Sequence, residues 1–128
     1  MNTTVLCVLI ADANSTARGW VTEMLDGPAI IKVEVNDSTG VVAAARSILF
    51  DVVVIDVRLA DGGGTDLLRE LRRLLPLAKI IVFTSFPYAE LVERCRAAGA
   101  DHVLSKSAEY EGLAGLLKSY CAAAGARS

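Results

Sequence analysis

Five short apolar runs, at residues 5–11, 30–35, 51–55, 79–83 and 101–104, alternate without exception with segments whose apolar residues recur at helical spacing. Few architectures accommodate that order. Two of the runs, "DVVVID" and "KIIVFTS", are continuous rather than alternating in polarity, as expected of strands covered on both faces. Strand–helix alternation around such strands leads to a parallel sheet flanked by helices, the α/β doubly wound class.

The intervening segments support this. One carries Trp20, Val21, Met24 and Leu25, which read with the leucine stripes as core. "GVVAAARSIL" follows Ser38 and Thr39, either of which can cap it. "TDLLRELRRLL" gathers five leucines on one face, turns its arginines to the other and is closed by Pro76. "YAELVERCRAAG" ends at Gly99, a suitable C′ residue. The last, "AEYEGLAGLLKSYC", has Glu109 and Glu111 in its first turn, where acids suit the helix dipole. One domain over 1–128 is expected, with its core at about 5–121 and a frayed tail at 122–128.

Composition narrows the function classes. The net charge of −2, with Lys and Arg scattered, offers no basic field for nucleic acid. No apolar run approaches the ~20 residues of a membrane span, and no secretion signal is visible. The three cysteines lie in separate apolar segments without metal-ligand spacing, in keeping with reduced thiols in the cytoplasm. His102, the only histidine, reads as a surface residue.

Doubly wound sheets bind ligands at the carboxyl ends of their strands. Asp12 follows the first run, Asp56 the third, Thr84 closes the fourth, and Lys106 lies just beyond the fifth. Hard oxygen ligands suit Mg²⁺, an ammonium and a hydroxyl suit phosphate oxygens, and an exposed Asp can attack phosphorus. Each residue alone has a plainer reading: Asp12 and Asp56 can cap turns, Thr is common in strands, and most lysines are solvated.

Taken together, these residues resemble the receiver domain of two-component response regulators over about 5–121. "IDVRLADGGGTDLLREL", "VFTS", "GADHVLSK" and "ADANSTAR" match its segments in order, with Arg18 at its usual distance. The resemblance implies a flavodoxin-like five-stranded parallel sheet of order 2-1-3-4-5. It makes Asp56 the phosphoacceptor, Thr84 the switch hydroxyl and Lys106 the phosphate-pairing lysine. It assigns Mg²⁺ to Asp12, Asp56 and the carbonyl of Arg58. The implied partners are a histidine kinase or histidine phosphotransfer protein and a downstream protein, with no nucleic acid or membrane contacted directly. Such a chain is no enzyme beyond its own phosphorylation and dephosphorylation.

The sequence departs from that family at four places. Ala13 stands where a second acid is usual, which weakens the Mg²⁺ site; the amide oxygen of Asn14 is a possible substitute. Val103 replaces an aromatic switch, and Ser107 a proline, so a trans bond is expected after Lys106. Ala60 and the following Gly62, Gly63 and Gly64 suggest a mobile loop. A degenerate receiver that binds proteins without phosphorylation is therefore the alternative. A flavin carrier of similar architecture is not favoured, because "DANSTAR" lacks a glycine- and hydroxyl-rich phosphate cradle.

Overall fold

A computed structural model describes residues 5–126 apart from Asp26, Pro28 and Gly63. Strands β1 (Leu6–Ala11), β2 (Ile30–Val35), β3 (Val52–Ile55), β4 (Lys79–Thr84) and β5 (His102–Ser105) alternate with five helices. These are α1 (Ser15–Met24), α2 (Ser38–Ser47), α3 (Thr65–Leu74), α4 (Ala89–Ala97) and α5 (Tyr110–Ala126). The strands form one parallel sheet in the order β2-β1-β3-β4-β5.

The two-residue side-chain period of the strands divides the core into two layers. Leu9, Val53, Ile55, Ile80 and Val82 face one way and meet Val41 of α2, Leu68 and Leu71 of α3, and Leu91 and Cys95 of α4. Val8, Ile10, Val52, Val54, Ile81 and Phe83 face the other way and meet Val21 of α1 with Leu113 and Leu117 of α5. The central strands β1, β3 and β4 supply both layers, which is why their interiors are continuously apolar. Truncating a side chain as enclosed as Leu68 or Leu113 would cost about 2–5 kcal/mol.

Register places the functional rim. Ala11 pairs with Ile55, so Asp12 and Asp56 leave neighbouring strands at the same level. The Asp56 N–H donates to the Ala11 carbonyl at 2.9 Å. Thr84 pairs with Ser105, and the Lys106 N–H donates to the Thr84 carbonyl at 2.8 Å.

Four local expectations are corrected. Trp20 is 39% exposed rather than core and meets Tyr110 edge-on, with ring centroids 5.9 Å apart. The N-cap of α2 is Asp37, whose carboxylate accepts from the Gly40 N–H, so neither Ser38 nor Thr39 has that role. Glu109 precedes α5, and its carboxylate accepts from the Ser105 N–H at 3.1 Å. The tail expected to fray from 122 continues α5 through Ala126, with Ala124 buried; residues 127–128 lie outside the described residues. Gly99 does follow α4 in the left-handed region, at φ +112°. In the glycine loop, Gly62 and Gly64 also have positive φ, while Gly63 lies outside the described residues.

Candidate functional site

The buried polar or charged residues among those described are Asp12, Asp56, Thr84 and Ser105, and all four stand at carboxyl ends of strands. Burying such groups is costly unless they are paired. Asp12 and Asp56 are paired in the same way. One oxygen of each accepts from the backbone N–H two residues on: Asn14 at 2.9 Å for Asp12, and Arg58 at 3.0 Å for Asp56. The other oxygen of each meets the Lys106 ammonium, at 2.6 Å from Asp12 and 2.9 Å from Asp56. Turn capping and the contact with Lys106 thus fall on different oxygens of each acid.

Burial alone would make the Lys106 ammonium release its proton more readily. The hydrogen bonds and negative charges of Asp12 and Asp56 outweigh it, so the ammonium holds its proton to higher pH than a free lysine. Thr84, fully enclosed, has a hydroxyl with no hydrogen-bond partner. An orphaned buried hydroxyl costs about 1–3 kcal/mol, and here it stands on the strand between those that lead to Asp56 and Lys106.

Local chemistry explains how these groups are held. Arg18 donates to the Asp12 carbonyl at 2.6 Å and pairs with Glu34 at 3.3 Å, fixing the loop after β1. Asn14 caps α1, its amide oxygen accepting from the N–H groups of Thr16 and Ala17. That oxygen is thus engaged by the first turn of α1. The Ser105 hydroxyl accepts from the Ala108 N–H at 3.2 Å and lies 3.1 Å from that of Ser107. This tight turn brings Lys106 back over the sheet, and no peptide bond among the described residues is cis. The role of Ser105 was not read from the sequence; its place directly before Lys106 was the available signal.

The donor set suits a divalent cation with few protein ligands. Two carboxylate oxygens converge on one positive charge, and Mg²⁺ characteristically keeps several waters. Among the described residues, no group of three or more His, Cys, Asp or Glu side chains could hold a metal. A cavity of about 260 Å³ opens beside Lys106, with Asn14, Trp20, Ser85 and Ser107 in its wall.

The family model of the response regulator receiver domain matches residues 8–118. The chain belongs to that family. Receiver domains of this kind serve two-component signalling, interact with histidine kinases, typically bind a divalent cation and are in general signalling modules rather than enzymes. This receiver domain is 36% identical over 103 residues to the transcriptional regulatory protein PdtaR of Mycobacterium tuberculosis, covering 77% of this chain and 48% of that one. It spans less than half the length of each curated relative it matches.

Among solved structures, a CheY-like response regulator receiver domain protein from Methanospirillum hungatei superposes with a TM-score of 0.82. The identity is 21%, with 97% of this chain and 99% of that one covered. A response regulator from Burkholderia pseudomallei, solved with a phosphorylated aspartic acid, calcium ion and citrate, superposes at 0.77 with 21% identity. That match covers 90% of the receiver domain and 72% of the other chain. Both likenesses bear on the fold. No helix among the described residues is long and apolar enough to cross a membrane.

Proposed function

We propose that Asp56 accepts a phosphoryl group from a phosphohistidine of a histidine kinase or phosphotransfer protein. The chain then passes the signal on, in the cytoplasm, by binding a downstream protein rather than nucleic acid. The observation that carries this reading is the Lys106 ammonium shared between Asp12 and Asp56, beside the unpartnered hydroxyl of Thr84.

A carboxylate oxygen of Asp56 attacks phosphorus; the new P–O bond forms as the P–N bond breaks, and its electron pair stays on the imidazole nitrogen. Lys106 offsets the charge on the transferring oxygens without reorganisation, because both carboxylates already hold it in place. Thr84 supplies the hydroxyl that a phosphoryl oxygen can accept from, and that new bond draws the end of β4 toward the modified residue. Asp12, Asp56 and the Arg58 carbonyl would hold the divalent cation. When bound, it supplies further neutralisation of the phosphoryl oxygens. The chemistry of the chain is confined to its own phosphorylation and dephosphorylation.

Ala13 favours a second reading, a receiver used as a binding module without phosphorylation. With that acid absent, the two carboxylates that remain are both engaged by Lys106. Incubation with Mg²⁺ and a small phosphodonor separates the two. The first reading expects one hydroxylamine-labile phosphoryl group by intact mass; no label, together with no Mg²⁺ binding at millimolar concentration, supports the second.

A further inference from the structure

Arg58 and Phe86 meet between the segments that follow β3 and β4. Arg58 lies two residues after Asp56 and donates its backbone N–H to that carboxylate at 3.0 Å. Phe86 lies two residues after Thr84. The Arg58 guanidinium carbon stands 5.7 Å from the centroid of the Phe86 ring, a cation–π contact. This links the loop after β3 to the loop after β4, whose strands end at the acceptor carboxylate and the orphaned hydroxyl.

Among the described residues, the Arg58 guanidinium makes no hydrogen bond or ion pair, unlike those of Arg18, Arg69, Arg72 and Arg73. Phe86 is 66% exposed, so burial does little to fix its ring.

Phosphorylation of Asp56 would raise the negative charge that Arg58 faces. Lys106 engages both acids at 2.6 and 2.9 Å, which leaves the unmodified site with one net negative charge. A phosphoryl group on Asp56 replaces its carboxylate charge by roughly −1.5 to −2 and adds three strong acceptor oxygens. Lys106 and the divalent cation then share three phosphoryl oxygens, which leaves acceptor positions open to a further donor. Forked, charge-assisted hydrogen bonds from a guanidinium to phosphate are stronger than a solvent-exposed cation–π contact.

We propose that Arg58 is a second cation for the phosphorylated site, parked on Phe86 while Asp56 is free. On phosphorylation the guanidinium moves from the ring to the phosphoryl oxygens and releases Phe86 with the loop that leads into α4. The modification is thereby read at the surface by an aromatic ring that has lost its partner. This inference rests on Asp56 as phosphoacceptor, and it gives two neighbouring residues opposite effects: Arg58 aids anion binding, and Phe86 competes for Arg58.

Beryllofluoride, a phosphoryl mimic, tests it when titrated with Mg²⁺ while the fluorine-19 NMR signal of the bound anion is followed. Phe86→Leu is expected to bind about 2–5-fold more tightly than wild type, the equivalent of an exposed cation–π contact. Arg58→Met is expected to bind about tenfold more weakly, since charge-assisted bonds are lost. The double variant should match Arg58→Met, because Phe86 acts only through Arg58. A bound signal with Phe86→Leu at or below wild-type affinity, with Arg58→Met unchanged, or with independent effects in the double variant overturns the latch alone. Absence of any bound signal in the wild type overturns the phosphoacceptor reading, and the latch with it.

Discussion

Lys106 Nζ lies 2.6 Å from Asp12 Oδ2, closer than its 2.9 Å approach to Asp56. The acid that ends the first strand is therefore coupled to the acid that ends the third through a residue 94 positions away (106 − 12). Two neighbouring carboxylates repel unless a positive charge stands between them. Here a lysine supplies it, and the register of β1 on β3 and of β4 on β5 delivers all three groups to one point.

Restoring a second acid should strengthen cation binding. Ala13 is exposed, so Ala13→Asp adds a carboxylate with little desolvation penalty, and Mg²⁺ affinity is expected to rise about tenfold. Trp20 is the single tryptophan and shares a cavity wall with Lys106, so its fluorescence provides the titration signal. An unchanged affinity would mean that position 13 does not face the cation.

Thr84→Val should separate stability from signalling. The variant keeps the shape of the side chain and removes a buried hydroxyl that has no partner. Urea denaturation is expected to show a gain of about 1 kcal/mol. Beryllofluoride affinity should fall at the same time. A loss of stability would show that the hydroxyl has a partner in solution.

Arg72 is a structural staple, and its partner glycine admits no side chain. Its guanidinium donates to the carbonyls of Gly99 at 2.7 Å and Ala78 at 2.7 Å and to the Asp101 carboxylate at 2.9 Å. A Cβ on Gly99 would lie 2.9 Å from the Arg72 Cβ, on a backbone at φ +112°. Gly99→Ala is expected to destabilise by about 1–3 kcal/mol. Arg72→Met should cost a similar ~2–3 kcal/mol by leaving those acceptors unpaired, and Arg72→Lys should recover only part, because an ammonium lacks the fork.

The acid limb of stability should depend on Asp61. The hydroxyl and backbone N–H of Ser38 both donate to it, at 2.5 and 2.8 Å, and hold its carboxyl below the usual carboxylate range. A carboxyl depressed by folding stabilises the protein above its unfolded pKa, and that contribution is lost as pH falls through the folded one. Asp61→Ala should therefore flatten the loss of stability below about pH 4, as followed by circular dichroism across a pH series. An unaltered acid limb would show that the pair does not persist in solution.

The strands were legible because β1, β3 and β4 feed two core layers and are apolar through their interiors, whereas their order in the sheet came from the resemblance to receiver domains. Asp12, Asp56, Thr84 and Lys106 could be singled out because each follows or ends such a run. What sequence left open depends on neighbours distant in the chain. Helical spacing placed Trp20 near the core, yet it stands at the edge of the α1 stripe against Tyr110. Arg72 reads as one of several solvated arginines of α3, and only the fold sets the Gly99 carbonyl under its guanidinium. The contact between Arg58 and Phe86 joins two loops whose sequences contain no sign of each other.

The most direct measurement is the intact mass of the wild type, Asp56→Asn and Asp12→Asn after incubation with Mg²⁺ and acetyl phosphate, and separately with a phosphorylated histidine phosphotransfer protein. One phosphoryl group on the wild type, none on Asp56→Asn and a slower gain on Asp12→Asn is the expected result. Label that persists on Asp56→Asn, or a wild type that stays unlabelled with both donors, would contradict the assignment of Asp56 as the phosphoacceptor.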